Sequence, residues 1–191
     1  MTWRLEELVV IPKLQELTDH LHLAVGVPIS IIGPEGEILT SSGWQHICED
    51  FHRRHPEIEK ACIAGNVATR KRRMNGDPLA LYTCPRGLTD AAIPILIEGE
   101  HLGGAFAGQI FLGPPGESVE QSFRETARHF KLDEEAYMAA FAEIPVVSPE
   151  RFRAILMFLS KLAEMIAQMG LIRKRELEAD RKSTRLNSSH T

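Results

Sequence analysis

The sequence predicts an α+β domain: a five-stranded antiparallel sheet with flanking helices and a long C-terminal helix. Three observations carry that class. Short β-branched runs pair off around glycine-containing turns, and the residues between and after them are apolar at helical spacing. The order is helix, two strands, helices, three strands, helices, which groups strands rather than alternating them with helices.

The elements follow in order. Leu14, Leu17 and Leu21 with Pro12 in the first turn predict a helix over about 12–23. Val27 to Ile32, the turn Gly33-Pro-Glu-Gly36 and the return Glu37 to Thr40 read as a hairpin over 27–41. From His46 to Met74 the pattern is helical, interrupted at His55-Pro56 because the residue before a proline resists the α region. Ala80–Cys84, Leu88–Ile97 and His101–Leu112 are three strands, the last two joined at Glu98-Gly99-Glu100. Helices follow at about 118–130, 133–142 and 149–178. The core domain is placed at 1–148 and the terminal helix at 149–179.

The chain has 191 residues, 43% hydrophobic and 25% charged, with net charge −4. That size buries a core without a metal or disulfide to hold it, and the acidic balance argues against gripping nucleic acid. Three cysteines form no closed disulfide set, and Met1-Thr2-Trp3-Arg4 does not read as a signal peptide. Leu102 to Gly116, the longest uncharged stretch, holds five glycines and two prolines and is no membrane span. A cytoplasmic domain without membrane contact is expected.

Leu159, Leu162, Ile166, Met169 and Ile172 recur at close to coiled-coil spacing. They predict a parallel homodimer through about 159–177, against the plainer alternative of a helix packed on its own domain. Residues 180–191 are polar and aperiodic, and Asp180 to His190 match the translation of a common sequencing-adapter oligonucleotide. They are expected to be foreign to the domain and to contribute nothing, with the natural chain continuing past Ala179 into a further domain. Setting aside the tail's three basic and one acidic residues takes the charge from −4 to −6.

Cys48 and His52 share a helix face, Cys62 lies fourteen residues beyond Cys48, and Cys84 opens the turn Cys84-Pro-Arg-Gly87. Thiolates and an imidazole suit tetrahedral zinc, so these four are the candidate metal set. No Cys-x-x-Cys pair is present, and small buried packing residues are the alternative. His46 and His55 are expected at the surface. Gln109, among the strand glycines of Leu102 to Gly108, is a candidate polar finger in a pocket or a satisfied buried amide. Trp44 and Tyr82 are candidate pocket walls or core. Arg70-Lys-Arg-Arg73 is read as a solvated helix end rather than a nucleic-acid patch. No G-x-S-x-G, phosphate-cradling glycine loop or H-E-x-x-H is present, so no catalytic residues are assigned.

Taken together, Gly43-Trp-Gln-His-Ile-Cys48, Cys62, Tyr82-Thr-Cys-Pro-Arg-Gly-Leu-Thr-Asp90, Ala92-Ile-Pro-Ile95, Gly99-Glu-His-Leu-Gly103 and Gly108-Gln109 resemble the PocR-type sensory domain from about Leu5 to Leu171. The resemblance implies a PAS-like fold that binds small hydrocarbon derivatives such as short diols. It also implies attachment to helix-turn-helix, histidine-kinase or related outputs in prokaryotic signal transduction and transcription regulation. Relatives carry a further cysteine shortly after the one matching Cys62 and often a histidine where Pro85 stands, so this chain's metal set is thinner. The resulting expectation is a non-enzymatic input domain. Its ligand lies between the concave sheet face and the helices of 46–74, against Trp44, Cys48, Tyr82, Cys84 and Gln109, with no cofactor required. The rival classes are a thiol redox enzyme or switch using Cys48, Cys62 and Cys84, and a zinc-stapled interaction module.

Overall fold

The structure, a computed structural model, describes residues 3–62 and 80–188. Two N-terminal helices, α1 (Leu5–Leu8) and α2 (Ile11–Val25), precede the hairpin of β1 (Ile29–Ile32) and β2 (Ile38–Ser42). A π-helical turn over Ile47–His52 and a helical stretch beginning at 56 follow. Then come β3 (Ala80–Thr83), β4 (Thr89–Ile97), β5 (Glu100–Ile110), α3 (Glu117–His129), α4 (Glu134–Ala142) and α5 (Pro149–Ser188). The five strands form one antiparallel sheet in the order β2-β1-β5-β4-β3. This is the α+β class the sequence predicts, and it is consistent with the PAS-like architecture. The rest of the helical reading over 46–74, with Arg70–Arg73, lies outside the described residues.

Local chemistry sets the ends of these elements. Gly26 closes α2 in the left-handed conformation (φ 67°), where a Cβ would be strained. Glu98 and Gly99, both at positive φ, form the two-residue turn between β4 and β5, a geometry that matches strand twist. Asp133 caps α4 by accepting from the Ala136 amide at 3.0 Å. Ser148 Oγ accepts from the Arg151 amide at 3.2 Å, just ahead of Pro149 in the first turn of α5.

Strand periodicity of two divides the sheet into unlike faces. Ile31, Ala105 and Ile93 lie in one cross-strand row and Ile29, Ala107 and Ala91 in the next. All six are buried in the main core, with Ile95 and Ile97 further along β4. Phe152, Ile155, Leu156, Leu159, Leu162, Ala163 and Ile166 of α5 cover this face together with Leu5 and Leu8 of α1. A second core stands at the far end of the sheet, where α3 and α4 meet the π-helical turn around Ile47, Leu88, Phe111, Phe123, Tyr137 and Phe141.

The terminal helix corrects two expectations. Leu159, Leu162 and Ile166 form no seam with another chain: they are at most 7% exposed and belong to the domain's own core. The stripe that faces out is Met157, Phe158, Met165, Met169 and Ile172, each 54–62% exposed. A stripe at three-to-four spacing cannot tell the face on a sheet from the face on a partner, because both obey the same period. The helix also runs ten residues beyond the predicted 178, to Ser188, and Arg181 stacks 4.5 Å over the Trp3 ring. Residues past Ala179 therefore make a contact, where none was expected. By length and apolar content α5 could cross a membrane, but its inward residues are committed to the sheet.

Candidate ligand site

The second sheet face carries Ser30, Phe106 and Ala92 in one row, and polar groups collect at its β4–β5 end. Between Thr89↔Ile110 and Ala91↔Ala107 the register slips, so Gly108 and Gln109 stand opposite Asp90 in a β-bulge. Gln109 takes φ 58° there, and its amide donates to Asp90 Oδ1 at 2.7 Å. Gly108 leaves the carboxylate its place: a Cβ at 108 would fall 2.2 Å from Asp90 Oδ1 and 2.6 Å from Asp90 Cα. Tyr82, paired with Asp90 across β3–β4, also hydrogen-bonds the carboxylate. Gln109 Oε1 accepts from the Gln45 amide at 2.8 Å.

Trp44 is buried and donates from Nε1 to Ser30 Oγ, with the Arg53 guanidinium 4.1 Å over its ring. The β3–β4 connection is a tight hairpin turn. The Cys84 amide donates to the Leu88 carbonyl at 2.7 Å, the Gly87 amide to the Cys84 carbonyl at 2.8 Å, and Gly87 sits at φ 92°. Cys48 and Cys84 pack against the second core. His52 Nε2 and the Tyr137 hydroxyl are 2.7 Å apart in the same region, with Phe51 edge-on to the tyrosine ring and Phe123 stacked on it.

Desolvation disfavours charge on the acid, thiols, phenol and imidazole of this region. Burial pushes the Asp90 carboxyl up to about 7 against the two hydrogen bonds that favour its anion. Burial raises all three thiols, Cys84 to about 12, with Asp90 adding to the effect on each. It lowers the His52 imidazole to about 4 and raises the Tyr137 phenol. Such a surface offers hydrogen bonds to an uncharged polar molecule. Burial disfavours the thiolate that disulfide exchange or nucleophilic attack requires.

A family model described as the sensory domain found in PocR matches residues 7–171. The chain belongs to the PocR sensory-domain family. It is therefore a small-molecule sensing domain of signal transduction. No curated protein matches it.

In this PocR domain, Gln109, Tyr82 and Asp90 are brought together by the bulge, while Cys48 and Cys84 stand where the same sheet end meets the second core. Trp44 is anchored over Ser30. Cys62 is on the helical stretch after Pro56 and half-buried, and the three cysteines are free thiols. Cys48, His52, Cys62 and Cys84 are not assembled as a metal centre: among the described residues no three His, Cys, Asp or Glu side chains form a group able to hold a metal ion. His52 Nε2 is engaged by Tyr137 instead. His46 is exposed as expected, whereas His55 is half-buried with its ring 4.8 Å from Phe130, a stacking that sequence distance conceals.

Asp90 and Tyr137 were not singled out from sequence as site residues. Asp90 had a readable signal, a carboxylate inside an apolar central strand. Tyr137 had none, since its histidine partner is 85 residues away.

Proposed function

We propose that this domain binds an uncharged, hydroxylated short-chain hydrocarbon derivative, such as a short diol. The ligand lies between the sheet face of Ser30, Asp90 and Gln109 and the lobe that carries Trp44, Cys48 and Cys84. The observation that carries this reading is the Tyr82–Asp90–Gln109 group, in which Asp90 and Gln109 are buried and the carboxyl is shifted towards its neutral form. Half-protonated near neutrality, Asp90 can donate to or accept from a hydroxyl, and the apolar surroundings suit the carbon chain. No metal or cofactor is required for such binding.

The signal leaves through α5, whose exposed Phe158, Met165 and Ile172 fall at heptad spacing and suit a second copy of the same helix. Ligand binding shifts the packing of this homodimer, and an attached output module reads the shift in the cytoplasm; the sensory domain itself does not touch nucleic acid. A ligand moves that equilibrium only by its difference in affinity for the two states, about 1.4 kcal/mol per tenfold.

Calorimetric titration with propanediol and butanediol tests the site. Tyr82→Phe should weaken the better diol by about 1–3 kcal/mol, the typical effect of an unmatched buried polar group. Gln109→Leu is the less clean variant, because it also leaves the Gln45 amide without its acceptor. Equal affinity in wild type and Tyr82→Phe, or no binding of either diol at high millimolar concentration, refutes the reading.

A further inference from the structure

Beside the sheet-face group, and separate from it, a cleft of about 300 Å³ opens between the β3–β4 turn and α3. Cys84 and Arg86 line one wall, and Ser118, Val119, Ser122 and Phe123 the other. A narrow recess continues from it past Arg86 to Thr126 and Tyr137.

Arg86 is the unusual member. Its Nη1 donates to Thr126 Oγ1 at 3.3 Å and its guanidinium lies 5.6 Å over the Phe130 ring. Its Nε is buried and has no hydrogen-bond partner. Among the described residues no carboxylate stands within ion-pair distance of it. Arg124 and Arg128 of α3, by contrast, are both paired with Glu134. The Arg86 charge is also felt nearby, since it is among the causes that keep the His52 ring neutral. A buried guanidinium N–H without an acceptor is unfavourable, and such groups in folded proteins are normally satisfied.

With Nη1 turned to Thr126 and Nε shielded from solvent, a carboxylate reaches the Nε–Nη2 edge by displacing the side chains that cover Nε, and engages that edge with two parallel hydrogen bonds. We propose that this cleft is a second binding site, for a small alkyl carboxylate. The carboxylate sits on the Nε–Nη2 edge of Arg86 with the Ser118 and Ser122 hydroxyls beside it, and the alkyl chain lies on Val119 and Phe123. The site does not depend on the diol reading, although Cys84 borders both.

Calorimetric titration of the whole chain near neutral pH tests it, with sodium hexanoate as probe and hexanol and sodium phosphate as controls. Hexanoate should bind more tightly than either control. Arg86→Gln should weaken it at least about tenfold and Arg86→Lys, which keeps charge but loses the fork, by a smaller factor. Should Arg86→Gln fail to fold, Ser118→Trp at the exposed rim fills the cleft, keeps Arg86 and should likewise abolish hexanoate binding. Hexanoate affinity unchanged in Arg86→Gln or in Ser118→Trp, or phosphate binding as tightly as hexanoate, overturns the proposal. Propanediol binding should survive Arg86→Gln, so failure of this site and failure of the diol site are told apart.

Discussion

Asp90 and His52 drive the pH dependence of stability in opposite directions, and Asp90→Asn separates them. Burial lifts the Asp90 carboxyl from 3.8 to about 7, so the fold favours its protonated form. That contribution is complete below 3.8 and is lost as pH rises through 7. Burial lowers the His52 imidazole from 6.5 to about 4, so the fold favours the neutral ring. That contribution is complete above 6.5 and is lost as pH falls through 4. The two residues are 5% and 2% exposed, so solvent screens neither strongly.

At about 1.4 kcal/mol per pH unit between the ordinary and folded values, Asp90 accounts for about 4 kcal/mol and His52 for about 3. Over the shared window from about pH 4 to 6.5 the two slopes nearly cancel in the wild type. Asparagine keeps an acceptor for the Gln109 amide and removes the titrating proton. Urea denaturation across that window should show Asp90→Asn gaining about 3 kcal/mol relative to wild type as pH rises from 4 to 6.5. Surface carboxylates such as Glu98 and Glu134 titrate in both proteins and drop out of the difference. A wild-type-to-variant difference that stays constant with pH would refute the reasoning, since Asp90 would then titrate alike in the folded and unfolded chain.

Three further outcomes follow from which side chains are buried and which are exposed. Leu162→Glu or Ile166→Glu places a charge in the core and should cost about 4 kcal/mol or more by denaturant titration. Phe158→Glu with Ile172→Glu, on the outward stripe, should keep the circular dichroism of the fold while converting dimer to monomer in sedimentation velocity. Native Cys48 and Cys84 should react with a disulfide reagent at least about a hundredfold more slowly than after unfolding, because burial disfavours their thiolates. Rapid modification of both in the folded chain would restore the redox-switch reading.

The sequence by itself determined the class of the domain and most of its elements. Strand alternation, the Glu98-Gly99 turn and the proline at 149 act over a few residues, and each is visible where it acts. The family motif around Tyr82 to Asp90 and Gly108-Gln109 runs through residues that the β4–β5 bulge brings together. Tertiary structure alone decided which side of each element is inside. Leu162 and Met165 belong to one apolar helix, and only the sheet beneath it buries the first and leaves the second exposed. Gln109 acquired its partners through a register slip between β4 and β5, and His52 met Tyr137 because the π-helical turn packs against α4. These pairings join residues 19 to 85 positions apart. No local pattern encodes them, because the free energy that selects each pair comes from excluding water around groups the folded chain has first to bring together.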